Sequence, residues 1–190
     1  MHANISELIR LMPPEAGERG GIDWVAASER WGGGLPTDYR EFLSFYGGGT
    51  INNSFNIAMP LKVSGEGWLP ENFAELTDDG IQLLEDVDPE YSSGFPGSIA
   101  WALDCAANYV YWDTSNSDPD EWTVVVLERH GEFTQYDCGM SGFLLALLGH
   151  GDFEPPVALF SPERPVFLNW RTEREIRLSG ADPWPNLQDS

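Results

Sequence analysis

Apolar residues recur every three or four positions at the start of the chain, where Ile5, Leu8, Ile9 and Met12 fall on one stripe of "NISELIRLM". That period predicts an amphipathic helix. Asn4 and Glu7, three apart, match a capping box with Asn in the cap role, and Pro13-Pro14 stop the helix. "IDWVAASERW" repeats the pattern, with Asp23 as cap, Trp24, Ala27, Ser28 and Trp31 on a shared face, and Gly32 to Gly34 at the end. A third helix is predicted in "LPTDYREFLSFYGGGT". Pro36 fits a first turn, where its missing N–H costs nothing, and Asp38 suits the positive end of the helix dipole. Tyr39, Phe42, Leu43 and Tyr46 make one aromatic-rich face. Gly47 fits a left-handed cap. A short helix punctuated in this way docks on a sheet and turns at once into a strand.

The middle of the chain changes period. "FNIAMPLKV" (Phe55 to Val63) alternates in part, with Pro60 marking an edge or a strand end. "SIAWALDC", "NYVYWDTS", "WTVVVLER" and "FTQYDC" follow in quick succession across short turns, which predicts an antiparallel meander. The stretch between Val63 and Ser98 predicts a helix or two plus loop. "MSGFLLALLG" (Met140 to Gly149) is apolar nearly all round and predicts a helix buried against the sheet. Pro155, Pro156, Pro162 and Pro165 then suggest a surface-hugging connector, and "NWRTEREIRLSG" (Asn169 to Gly180) a last, exposed helix. Helices, then strands, then helices give an α+β fold: a mostly antiparallel central sheet flanked by helices, with a C-terminal helical extension. The expected organisation is one α+β domain over residues 1–151, followed by a Pro-rich connector and helical tail over 152–190.

Composition sharpens the picture. The 190 residues are 42% hydrophobic and 13% aromatic, with eight Trp, which is ample for a core. The formal charge is −21, so self-repulsion opposes folding and the expected partner is basic. Direct binding to nucleic acid or anionic lipid is disfavoured, because those ligands need clustered Lys and Arg. Two cysteines, Cys105 and Cys138, are too few for a disulfide scaffold and read as buried free thiols. The first residues lack a basic n-region, and "FLLALLG" is far short of the about 20 apolar residues that span a bilayer. A cytoplasmic location with no membrane association is expected.

Catalytic patterns are sought and not met. "WGGGLP" and "YGGGT" have no lysine to complete a P-loop, and "GMSG" around Ser141 lacks the nucleophile-elbow spacing, so Ser141 reads as a helix cap. No His or Cys pair has zinc spacing. "DTSNSDPDE" offers carboxylate and hydroxyl oxygens that calcium would accept, but the sixth-place Gly and the bidentate Glu of a calcium loop are missing. No enzyme activity, metal or other cofactor is expected.

The order and spacing of these segments resemble the SUKH superfamily. A helix followed by "LPTDYREFLSFYGGG" is similar to its opening Leu-Pro, Tyr-x-x-Phe-Leu and Gly-Gly signature. "SIAWALDCAANYVYWDTS" resembles its central hairpin, "WTVVVLER" its next strand and "YDCGMSGFLLALLGHG" its C-terminal helix. The resemblance spans roughly Ile22 to Gly149. It implies an α+β sheet flanked by helices and no catalytic residues. It also implies a role in binding: bacterial members are mostly immunity proteins that neutralise a secreted toxin, often a nuclease, and fungal relatives regulate cell-wall synthesis through protein contacts.

Charge distribution points the same way. From Val63 to Glu128 there are fifteen acidic residues and no Lys, Arg or His. The expected partner surface is the face formed by Glu66, Glu71, Asp113, Asp118, Asp120 and Glu121, with Trp112 and Trp122 at the flanking strand ends. Aromatic anchors ringed by charge are typical of protein interfaces. The expected partner is a basic protein, a cognate toxin; a cytosolic scaffold or regulator using the same surface is the alternative.

Overall fold

The computed structural model describes residues 1–15, 21–65, 69–87 and 97–185. Its centre is a seven-stranded antiparallel sheet of β1 (Gly49–Ile51), β2 (Phe55–Ile57), β3 (Ile99–Asp104), β4 (Tyr109–Asp113), β5 (Thr123–Leu127), β6 (Phe133–Tyr136) and β7 (Phe167–Asn169). The spatial order is β6-β5-β4-β3-β2-β1-β7. Strands β3 to β6 form the expected meander.

One face carries α1 (Ala3–Leu11), α3 (Thr37–Tyr46) and α5 (Met140–Leu147), which pack on one another. The predicted stripe of α3 is wholly buried, with Tyr39, Phe42, Leu43 and Tyr46 at most 2% exposed. Tyr39 sits edge-on to Trp112 at 5.1 Å, and Trp112 stacks on Trp101 at 5.5 Å. The aromatic content is therefore core material, interlocked by ring contacts worth about 0.5–1.5 kcal/mol each beyond their area. Gly47 closes α3 at φ +71°, its N–H bonded to the Leu43 carbonyl at 2.9 Å.

The other face carries α4 (Phe73–Val87) against β3, and α6 (Trp170–Leu178) against β1 and β7. Gly80 lets α4 approach closely, since a Cβ there would collide with the Tyr111 hydroxyl. Asp23 caps α2 (Trp24–Arg30) as expected, accepting from the Ala26 N–H at 3.0 Å.

Several local expectations are corrected. The first helix starts at Ala3 with His2 as cap, so Asn4 lies inside it and reaches the Ser141 Oγ at 3.4 Å, while Glu7 pairs with Arg10. Pro36 is the cap of α3 and not part of its first turn. Strand β2 stops at Ile57, short of Val63, because the Met59 N–H turns to the Glu71 carbonyl and Pro60 has no N–H to give. Cys105 is exposed and Cys138 half-buried; both are free thiols.

The tail reaches the sheet. Beyond residue 151, β7 pairs with β1 in the register Gly49↔Asn169, Thr50↔Leu168 and Ile51↔Phe167. Phe167 lies among Phe42 and Tyr46, and Trp170 and Trp184 are buried. The connector is anchored on two buried hubs. The Asp104 carboxylate accepts from the N–H groups of Ala106, Asn108 and Ala158, and Asn52 accepts from the Val166 N–H while donating to the Phe160 carbonyl.

Candidate protein-binding surface

The acidic loop between β4 and β5 is built around its own hydrogen bonds. Asp113 accepts from the Ser115 N–H at 2.9 Å, and Asp118 from the Asp120 N–H at 3.1 Å, capping the short 3-10 helix Pro119–Glu121. Asp120 reaches across to α3, taking the Thr37 N–H at 2.6 Å and the Thr37 hydroxyl at 2.9 Å. It supplies the cap that Pro36 cannot give and places a negative charge on the positive end of the helix. The same device recurs next door. Gly139 caps α5 without a side chain, and the buried Asp38 accepts from the Ser141 N–H at 2.8 Å. Ser141 is thus the capped residue and not the cap.

This architecture accounts for an acid-rich loop without a cation, since its carboxylates satisfy backbone N–H groups. Glu121 is exposed and has no such role in the hydrogen bonds described. No ion pair among the described residues engages Asp113, Asp118, Asp120 or Glu121. No group of three or more His, Cys, Asp or Glu placed to hold a metal occurs among the described residues.

The two tryptophans expected to anchor a partner are core residues. Trp112 is 0% exposed and Trp122 8%, and the Trp122 indole N–H ties down the loop by donating to the Asn116 carbonyl at 2.8 Å. Apolar burial outweighs their position at the strand ends. Glu66, with Trp68 and Tyr91, lies outside the described residues. Glu71 is half-buried before α4, and burial together with the carboxylates of Glu75 and Asp79 raises its pKa. The expected site thus resolves into two acidic areas: the loop Asp113–Glu121, and the outer side of α4, where Asp78, Asp79, Glu85 and Asp86 are exposed.

One pairing and one thiol bear on chemistry. Ser141 Oγ lies 3.5 Å from His2 Nδ1, but Ser141 is 1% exposed, so no substrate reaches it. Burial, with Asp137 and Asp38 nearby, pushes the Cys138 thiol up to about 11, which keeps it protonated and unreactive at neutral pH. The hubs Asn52 and Asp104 were not singled out in the sequence. The turn-forming "INNS" and "DCAAN" were their only local signal.

No helix among the described residues is long and apolar enough to cross a membrane. A family model, SUKH_6, described as SMI1-KNR4 cell-wall, matches residues 23–144. No curated protein and no solved structure matches the chain. The match runs from the cap of α2 into α5, so α1, β7 and α6 are outside it.

Proposed function

Because this chain belongs to the SMI1-KNR4 cell-wall family, SUKH_6, we propose that it is a binding protein without catalysis, an immunity protein that occludes a basic toxin in the cytoplasm. The observation that carries this reading is the stretch from Val63 to Glu128, fifteen acids with no basic residue. Its loop carboxylates are tied to backbone N–H groups and not to cations. Their net charge therefore remains available to a cationic partner, and complementary fields speed encounter. The cell-wall description of the family favours a second reading, a scaffold or regulator that uses the same surface for another protein.

The test is kinetic. With a candidate toxin from a neighbouring gene, the association rate should fall as salt rises, because the screening length shrinks to about 10 Å at 0.1 M. Glu121→Lys with Asp118→Asn, which keeps the acceptor that caps the 3-10 helix, should slow association further, with the melting temperature little changed. Asp120 must stay in place, since its loss removes the α3 cap at about 1 kcal/mol. An association rate indifferent to both salt and the double substitution would reduce the acidic surface to a solubilising coat. Binding that persists with a protein other than a toxin would favour the second reading.

A further inference from the structure

The end of α5 and the connector that follows it enclose a groove whose walls are held independently. On one side α5 closes in a Schellman motif. Gly149, at φ +76°, gives its N–H to the Ala146 carbonyl at 2.9 Å, and the His150 N–H goes to the Leu145 carbonyl at 2.8 Å. Gly151 then passes so close to the helix that a Cβ there would strike the Ala146 backbone. On the other side, the Ala158 N–H is tied to the Asp104 carboxylate at 2.6 Å and the Phe160 N–H to the Ser54 Oγ at 3.1 Å. Phe153, between these segments in the chain, stacks on Tyr136 at 4.5 Å. The walls are therefore fixed before any ligand arrives, which spares a ligand the cost of ordering them.

The groove measures about 450 Å³. Leu147, Phe153, Val157 and Leu159 give it apolar walls, and Asp152 and Glu154 are its only charged lining. Both carboxylates are exposed, and neither has a hydrogen bond or an ion pair among the described residues. The end of α5 that borders the groove is also the negative end of its helix dipole. An apolar slot with uncompensated negative charge at its lip fits one kind of side chain, a long alkyl stem ending in a cation. Such a stem packs along apolar surface while its charged head stays at the wet rim. Arginine suits the lip better than lysine, because its planar head matches carboxylate geometry. Every residue that lines the groove lies beyond residue 144, where the family match ends.

We infer that this groove receives an arginine side chain of the basic partner. Its methylenes lie against Leu147, Val157 and Leu159, and its guanidinium meets Asp152 and Glu154. The inference rests on the proposal of a basic partner and adds where that partner is anchored. The acidic loop would speed the encounter, and the groove would select the partner that carries an arginine in the right place.

The probe is the peptide acetyl-Ala-Arg-Ala-amide, titrated at millimolar concentration into the full chain and followed through backbone amide NMR shifts. The control peptide carries citrulline, the uncharged isostere, in place of arginine. The arginine peptide should shift the amides of residues 146–159 saturably, and the citrulline peptide should bind roughly tenfold more weakly. Asp152→Asn with Glu154→Gln should produce the same loss without lowering the melting temperature, since neither carboxylate holds the fold together. Equal binding of the two peptides, saturable shifts confined to other residues, or no saturable shift would each overturn the inference. Self-association that the double substitution abolishes would also overturn it, by assigning the groove to a second copy of this chain. Association with the toxin that stays salt-dependent in any of these cases would leave the acidic-surface proposal standing, so the two readings fail separately.

Discussion

Gly80 sits in mid-helix, where alanine is ordinarily better by about 0.8–1.0 kcal/mol. Here the order should invert. A Cβ at Gly80 would collide with the hydroxyl of Tyr111, which is 1% exposed and has little room to yield. Gly80→Ala should therefore destabilise by about 1–3 kcal/mol, the usual cost of overpacking, as read by denaturant unfolding. Glu71 makes a second residue-scale prediction. Burial and its acidic neighbours raise its pKa, so the folded protein holds that proton more tightly than the unfolded chain does. Its contribution to stability is complete below the ordinary value of 4.5 and is lost as pH rises through the raised value. Glu71→Gln should raise the melting temperature at pH 7, and the gain should vanish near pH 4. At this scale the sequence was legible where one element sufficed. The stripe from Tyr39 to Tyr46 follows from helical spacing. The bonds Asp120–Thr37 and Asp38–Ser141 span 83 and 103 residues, and no local pattern announces them.

The elements read from periodicity are present: the three opening helices, the meander and the buried α5. Strand β7 was absorbed into the expected connector and last helix. Three residues are too few to show alternation, and Asn169 both ends the strand and caps α6 by accepting from the Arg171 N–H. The tail is attached by its strand and its apolar side chains. Arg177 pairs with Glu173 of its own helix, Arg164 with neighbouring Glu163, and Arg171 lies over the Trp170 ring. Strand pairing and the burial of Phe167, Leu168 and Trp170 supply the attachment. Each such side chain contributes about 1.5–3 kcal/mol, against a whole-domain stability of about 5–15 kcal/mol. Ending the chain at Gly151 should therefore lower the melting temperature steeply or prevent folding; an unchanged melt would contradict this account.

The whole molecule carries a charge of −21, and its few described ion pairs are largely exposed and worth about 0–1 kcal/mol each. Net self-repulsion should then dominate the response to salt. Raising ionic strength from 0.01 to 0.15 M, which shortens the screening length from about 30 to about 8 Å, should raise the melting temperature. The same salt should slow capture of a basic partner, so stability and association rate are expected to move in opposite directions. The overall charge was plain in the sequence. Which acids are committed to caps and which remain at the surface depended on contacts that only the folded chain makes. The pairing of β1 with β7 has a temporal consequence. Gly49 is synthesised long before Asn169, its partner in the register. Until β7 leaves the ribosome, the nascent sheet has an unfilled place beside β1, floored by Ile51, Phe42 and Tyr46. Closing so long a loop is slow, and open strands invite misassembly in the interval. Completion of the sheet thus waits for the synthesis of β7, and chaperone demand should concentrate in that window.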